Sequence, residues 1–149
     1  MATVFDVAQY ILGKLKADDA LPVTTWKLQK LVYYSQAWSV VWDDEPLFQD
    51  RIEAWANGPV CPELYKAHRG QFKIEQLGQG DDRTLSKDQR ETVDEIYGHY
   101  GKKTPQYLSE LTHSERPWIE ARAGLDPGER GSNVISLESM AEYYGSLHG

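Results

Sequence analysis

The sequence predicts a mostly α-helical protein: a compact single-domain bundle around one central apolar helix, with at most a small β-hairpin or extended arm. Apolar residues recur at three- and four-residue spacing in several capped segments, the period of a helix with one buried face. Residues 26–42 are apolar around most of a helical circumference, as a helix packed from several sides must be. Alternation of the strand type is confined to one short stretch within residues 47–56. With 149 residues in all, one domain spanning 1–149 is the expectation, since typical domains hold roughly 100–150 residues.

Taken in order, the first helix starts at Thr3, an N-cap residue with Asp6 in the first turn, where the helix dipole favours an acid. Val4, Val7, Ala8, Ile11, Leu12 and Leu15 form its buried stripe, and Asp18, Asp19 and Pro22 end it. Thr24 or Thr25 caps the central helix, in which Leu28, Leu31, Val32 and Ser35 share a face with Trp38 or Ser39. Asp43-Asp44-Glu45-Pro46 stops it. Ile52, Ala54 and Ala56 then alternate with Glu53 and Trp55, as in a short strand, and Asn57-Gly58-Pro59 is a turn signal. Pro62 opens a short helix to about residue 68, because its missing N–H has no helical partner there anyway. Residues 70–85 read as a glycine-rich loop with a short extended piece at 72–74. Ser86 and Gln89 make a capping-box pair for a helix buried through Val93, Ile96, Tyr97 and Tyr100. Thr104-Pro105 starts a helix to about residue 111, and residues 115–122 form another with Pro117 in its first turn. Asp126-Pro127-Gly128 is a turn, and Ser136 caps a last helix that Gly145 stops.

Charge and composition remove several classes of function. The 23 acids outnumber the 16 bases, for a net charge of −7. A protein that binds duplex through its backbone needs clustered Lys and Arg, so direct nucleic-acid binding is not expected. An acidic surface suits solubility and is compatible with a basic protein partner. No apolar run approaches the ~20 residues that cross a bilayer, and residues 1–16 lack the charged and apolar regions of a signal peptide. One cysteine, Cys61, permits no internal disulfide, which points to the reducing cytoplasm.

Catalytic and metal chemistry find little support. The histidines at 68, 99, 113 and 148 stand apart without ligand spacing, so neither a metal nor a cofactor is expected. Cys61 would need a base, and His68 is seven residues away. The acidic pairs Asp18-Asp19, Asp43-Asp44 and Asp81-Asp82 sit in turn contexts, as solvated turn residues do. Gly78-Gln79-Gly80 lacks the strand, third glycine and helix of a dinucleotide loop. A small enzyme using Cys61 or an acidic pair is the alternative of another class. What remains is aromatic: five Trp and nine Tyr exceed what a helical core of this size needs, and such residues anchor protein interfaces.

Several strings together resemble one family. Lys27-Leu28-Gln29-Lys30-Leu31-Val32-Tyr33-Tyr34-Ser35-Gln36-Ala37-Trp38 resembles the signature helix of the Panacea domain, the SocA-like antitoxins. Pro46-Leu47-Phe48 follows, then Glu53-Ala54-Trp55-Ala56-Asn57-Gly58-Pro59-Val60-Cys61-Pro62-Glu63-Leu64-Tyr65, the most diagnostic string. Ser114, Pro117, Trp118 and Arg122 belong to a similar C-terminal block; residues 70–90 are not matched. The resemblance implies a helical, non-enzymatic antitoxin that neutralises a co-encoded toxin by binding it. Partners across the family are varied and include alarmone-synthetase-like toxins that modify tRNA. One branch is a proteolytic adaptor delivering its toxin to a cytoplasmic protease, the alternative within binding proteins. The resemblance extends to phage-associated proteins, which makes a phage or prophage origin a further expectation.

The contact surface is expected on the polar-aromatic side of the central helix and the nearby corner. Leu28, Leu31 and Val32 are assigned to the core, whereas Lys27, Lys30, Tyr34 and Trp38 exceed what a chain this short can bury. Gly58 permits a backbone angle other residues avoid, and Pro59 stiffens the corner between Trp55 and Tyr65. The expected protein-binding patch is Tyr34, Trp38, Trp55 and Asn57, with Trp118 at its edge.

Overall fold

Each helix starts where the sequence supplies a cap or a proline. The structure is a computed structural model that describes residues 2–148. Helix α1 (Val4–Ala17) opens with a capping box: Thr3 Oγ1 accepts from the Asp6 N–H, and Asp6 Oδ2 accepts from the Thr3 N–H at 2.8 Å. Strand β1 (Val23–Thr24) leads into α2 (Thr25–Trp42), where Thr24 Oγ1 accepts from the Lys27 N–H at 3.1 Å. β2 (Glu53–Trp55) and β3 (Gly58–Val60) are followed by α3 (Pro62–His68), which begins on its proline as expected. After β4 (Lys73–Ile74) and a 3-10 turn, the Ser86–Gln89 capping box opens α4 (Lys87–Tyr100). α5 (Pro105–His113), α6 (Arg116–Arg122) and α7 (Leu137–His148) complete the chain.

Helix α2 is the axis of the fold. It packs against α1, α4, α5, α7 and β3, so every face meets protein. Leu28, Leu31 and Val32 lie in the core as assigned, and α1 contributes the stripe from Val4 to Leu15. The buried apolar side chains form one cluster that runs from α1 through α2 and α4 to Met140 and Tyr144 of α7.

Lys30 and Tyr34 correct the expectation for the other side of α2. Lys30 is 2% exposed and Tyr34 0%. The Tyr34 ring stacks on Tyr100 of α4, with centroids 4.2 Å apart and planes 8° from parallel. Its hydroxyl donates to Glu115 Oε1 at 2.7 Å, and the Tyr144 hydroxyl donates to the same oxygen at 2.8 Å. Aromatic rings bury easily once their one polar atom has a partner, and Glu115 supplies it. Burial pushes the Glu115 carboxyl above its usual range, and the two tyrosine hydrogen bonds oppose that rise.

Other differences are local. β2 and β3 form an antiparallel hairpin pairing Glu53 with Val60 and Trp55 with Gly58. The turn is Ala56-Asn57; Gly58 and Pro59, expected in the turn, already belong to β3. Residues 133–135 run beside β2, where Ala54 N–H donates to Asn133 O and Ile135 N–H to Ile52 O, each at 2.8 Å. The extended piece near Phe72 pairs with β1, a strand that two residues were too few to signal. Gly145 does not end α7: its φ stays negative, and the helix, anchored by buried Tyr144 and Met140, runs through it.

Leu31 sits at 1% exposure against this core. Leu31→Ala is expected to cost about 2–5 kcal/mol of unfolding free energy, read by urea denaturation. A loss below about 1 kcal/mol would contradict the central placement of α2.

Candidate partner-binding face

The hairpin is held from below and from one side. Below it, Gly58 adopts φ +126°, and a Cβ there would stand 3.2 Å from Lys30 Cε. Glycine is thus needed twice over, for the angle and for the close approach of β3 to α2. From the side, Arg122 is buried and donates to the carbonyls of Ala54 (3.3 Å), Asp126 (3.0 Å) and Glu129 (2.6 Å). A guanidinium has five fixed donors, and here they join β2, α6 and the following loop. Trp118 Nε1 donates to the Trp55 carbonyl at 2.9 Å, and its ring lies over His113 at 4.2 Å.

These contacts present Trp55 and Asn57 on a stiff support. Trp55 is half-buried: Nε1 donates to Glu53 Oε1 at 2.8 Å and the ring meets Tyr65 edge-on at 4.9 Å. Glu53 Oε2 accepts from Arg51 Nε at 2.7 Å, so both carboxylate oxygens are engaged. Asn57 is exposed at the tip and lines two concavities. One, of about 560 Å3, lies toward Glu53, Trp55 and Arg130. The other, of about 300 Å3, lies toward Trp26, Lys30 and Phe72.

The structure therefore divides the expected patch. Trp55, Asn57 and Trp118 come together around the hairpin. Tyr34 is core and has no surface, because α4, α6 and α7 close over it. Trp38 is half-buried one turn further along α2, packed on Trp42 and Tyr144, and lines a separate concavity between α2, α4 and α7. Most other motif residues hold the frame. Gln29 bonds both backbone groups of Cys61, and Gln36 accepts from the Leu47 N–H while donating to the Phe48 carbonyl. Leu47, Phe48, Ala54, Pro59, Val60 and Pro62 are buried, and Ser114 Oγ donates to the Leu111 carbonyl. Lys27, Pro46 and Tyr65 are half-buried.

Two groups at this face were not part of the expected patch. Lys30 has no hydrogen-bonding or ion-pair partner among the described residues; its Nζ lies over the Trp26 ring, 5.6 Å from the centroid. Burial pulls the ammonium down to about 8. His113 Nε2 is buried without a hydrogen-bond partner among the described residues. Desolvation first, then the Lys30 charge, holds this imidazole below its usual range. The signal for Lys30 was present: it stands between Trp26 and Tyr34 at four-residue spacing, inside an aromatic stripe.

Nucleophilic chemistry gains nothing from the geometry. Burial pushes the Cys61 thiol up to about 11. His68, the one base considered, faces Gln29 Nε2 at 3.0 Å and is held below the usual imidazole range by burial. Members of the acidic pairs serve structural bonds: Asp43 accepts from the Thr92 hydroxyl and Asp18 from the Tyr97 hydroxyl, both from α4, and Asp81 accepts from the Arg83 N–H. Among the described residues no three His, Cys, Asp or Glu side chains are grouped to hold a metal ion, and no helix is long and apolar enough to cross a membrane.

The match to known proteins covers this face. The family model for the SocA-like antitoxin, Panacea domain, matches residues 28–119, which include α2 from Leu28 onward, the hairpin and Trp118. That is more than half of the chain, and the chain belongs to this family. Antitoxin SocA of Caulobacter vibrioides (strain NA1000 / CB15N) is 38% identical over 60 residues, 40% of this chain and 31% of that protein. The match thus spans under a third of that relative's length. No solved structure matches the chain.

Gly58→Ala is expected to lower stability by more than about 1 kcal/mol, because the left-handed angle and the Lys30 contact both oppose a Cβ. Thermal unfolding checks this; an unchanged melting temperature would mean that the hairpin does not rest on Lys30.

Proposed function

We propose that this chain is an antitoxin that neutralises a protein toxin by binding it, through the face built from Trp55, Asn57 and Trp118. Membership of the SocA-like antitoxin family carries the reading. The location is supported by the stiffness of the hairpin. Its aromatics are pre-ordered by Arg122, Tyr65 and Gly58, so docking orders few side chains and little affinity is lost to entropy. Trp38 stands outside this face, as a second contact on the same partner. The proposed setting is the cytoplasm, the partner is encoded in a neighbouring gene, and no catalysis, metal or cofactor takes part.

Co-expression with the product of the neighbouring gene, followed by co-purification, tests the reading. The wild-type chain is expected to restore growth and to co-purify with that product. Cys61→Ser is expected to do the same, since nothing in the reading uses the thiol. Asn57→Arg adds bulk at an exposed tip and is expected to weaken binding by at least ~10-fold, a little over one kilocalorie per mole, with the melting temperature unchanged. Full affinity in that variant would move the contact away from the hairpin. Loss of neutralisation in folded Cys61→Ser would revive an enzymatic role. Disappearance of the toxin only when a protease is also present would identify delivery in place of occlusion.

A further inference from the structure

Lys30 poses a chemical problem that the fold leaves open. Buried charges in proteins are paired, because removing an ammonium from water costs far more than a hydrogen bond returns. Lys30 is 98% buried and has neither a hydrogen bond nor an ion pair among the described residues. β3 runs close over its stem, so that a Cβ added at Gly58 would stand 3.2 Å from Lys30 Cε. It lines the pocket of about 300 Å3 whose apolar walls are Trp26, Phe72 and Pro105. Asn57 and Gln106 add amide groups at the same pocket. Phe72, 66% exposed, stands open to solvent at this pocket.

We propose that this pocket receives a carboxylate, carried by an acidic side chain of the bound partner protein, with Lys30 as its counter-charge. The charge count selects the chemistry: one cation with no second basic side chain lining the pocket balances a monoanion, whereas a phosphate dianion would leave a charge unmatched. The apolar walls suit the methylene stem of the acid. The net charge of −7 repels small free anions, while a carboxylate delivered on a docked protein arrives with that cost already overcome. The inference rests on the toxin-binding reading for the source of the carboxylate and on the pocket alone for its chemistry.

Two arms separate these. In the first, the free protein is titrated with hexanoate and, separately, with inorganic phosphate, while the Lys30 ε-methylene is followed by 1H–13C correlation spectroscopy. Hexanoate is expected to shift this signal saturably and phosphate is not. Gln106→Glu, at an exposed pocket position, is expected to supply a tethered carboxylate, shift the Lys30 signal by itself and block hexanoate. No response of Lys30 to hexanoate, or a response to phosphate alone, overturns the carboxylate assignment. In the second arm, Lys30→Met replaces the ammonium with an apolar chain of similar length, and affinity for the co-purifying toxin is measured. A loss of at least ~10-fold is expected, as when one partner of a buried charge pair is removed. Where Lys30→Met fails to fold, Gln106→Glu takes its place, since its tethered acid is expected to exclude the partner's by a similar factor. Unchanged toxin affinity in the folded variant overturns the partner as source. Failure of the wild-type chain to capture any toxin would instead remove the toxin-binding reading, leaving the first arm to decide the pocket chemistry.

Discussion

An eighteen-residue helix surrounded by protein must find a partner for every polar side chain it carries, and that requirement on α2 organises the molecule. Most of its buried polar residues point in different directions and reach segments outside the helix. Gln29 reaches the start of α3, Gln36 the 47–48 loop, Ser39 the Glu45 carbonyl, and Tyr34 the carboxylate at the start of α6. Tyr33 reaches Tyr144 on α7 at 3.0 Å. An apolar core alone is non-directional and leaves loop positions open. These hydrogen bonds are directional, and they fix where the irregular segments lie.

The hairpin inherits its position from the same helix. Its glycine lies over Lys30, and its base is tied to α6 by Arg122 and Trp118. α6 is in turn tied to α2 through Glu115 and Tyr34. Trp55 and Asn57 are therefore displayed by a closed loop of contacts rather than by a free arm. Lys30, buried on α2 beneath that hairpin, has no hydrogen bond or ion pair among the described residues.

Helix starts were readable because caps are local: Thr3, Thr24, Ser86 and Thr104 act where their sequence neighbours place them. The apolar faces of α1 and α4 were readable for the same reason, through their period. Long-range polar pairing leaves no such trace. Glu115 stands in the sequence only as the start of a short helix, yet it is the acceptor for two tyrosines that lie 81 and 29 residues away. Tyr34 was assigned to the surface because a chain this short was not expected to bury that whole side of α2, and the partner that lets its hydroxyl be buried lies on a distant segment. The hairpin turn was displaced by one residue because Gly58 serves the contact with Lys30 instead of the turn itself. At the candidate face, Trp55, Asn57 and Trp118 followed from residue type, whereas the pocket beside them depends on Phe72 and Pro105, brought from distant segments.

Gln36 tests the central claim most directly. It is 2% exposed, and its amide serves the Leu47 N–H and the Phe48 carbonyl. Gln36→Met keeps the volume and adds apolar surface to the core. If directional pairing from α2 holds the loops, the variant loses at least about 2 kcal/mol, because two buried backbone groups are left without partners. Hydrogen exchange at the Leu47 amide should then quicken well beyond the global change in stability. A variant as stable as the wild type, with Leu47 equally protected, would show that apolar burial alone positions the loop.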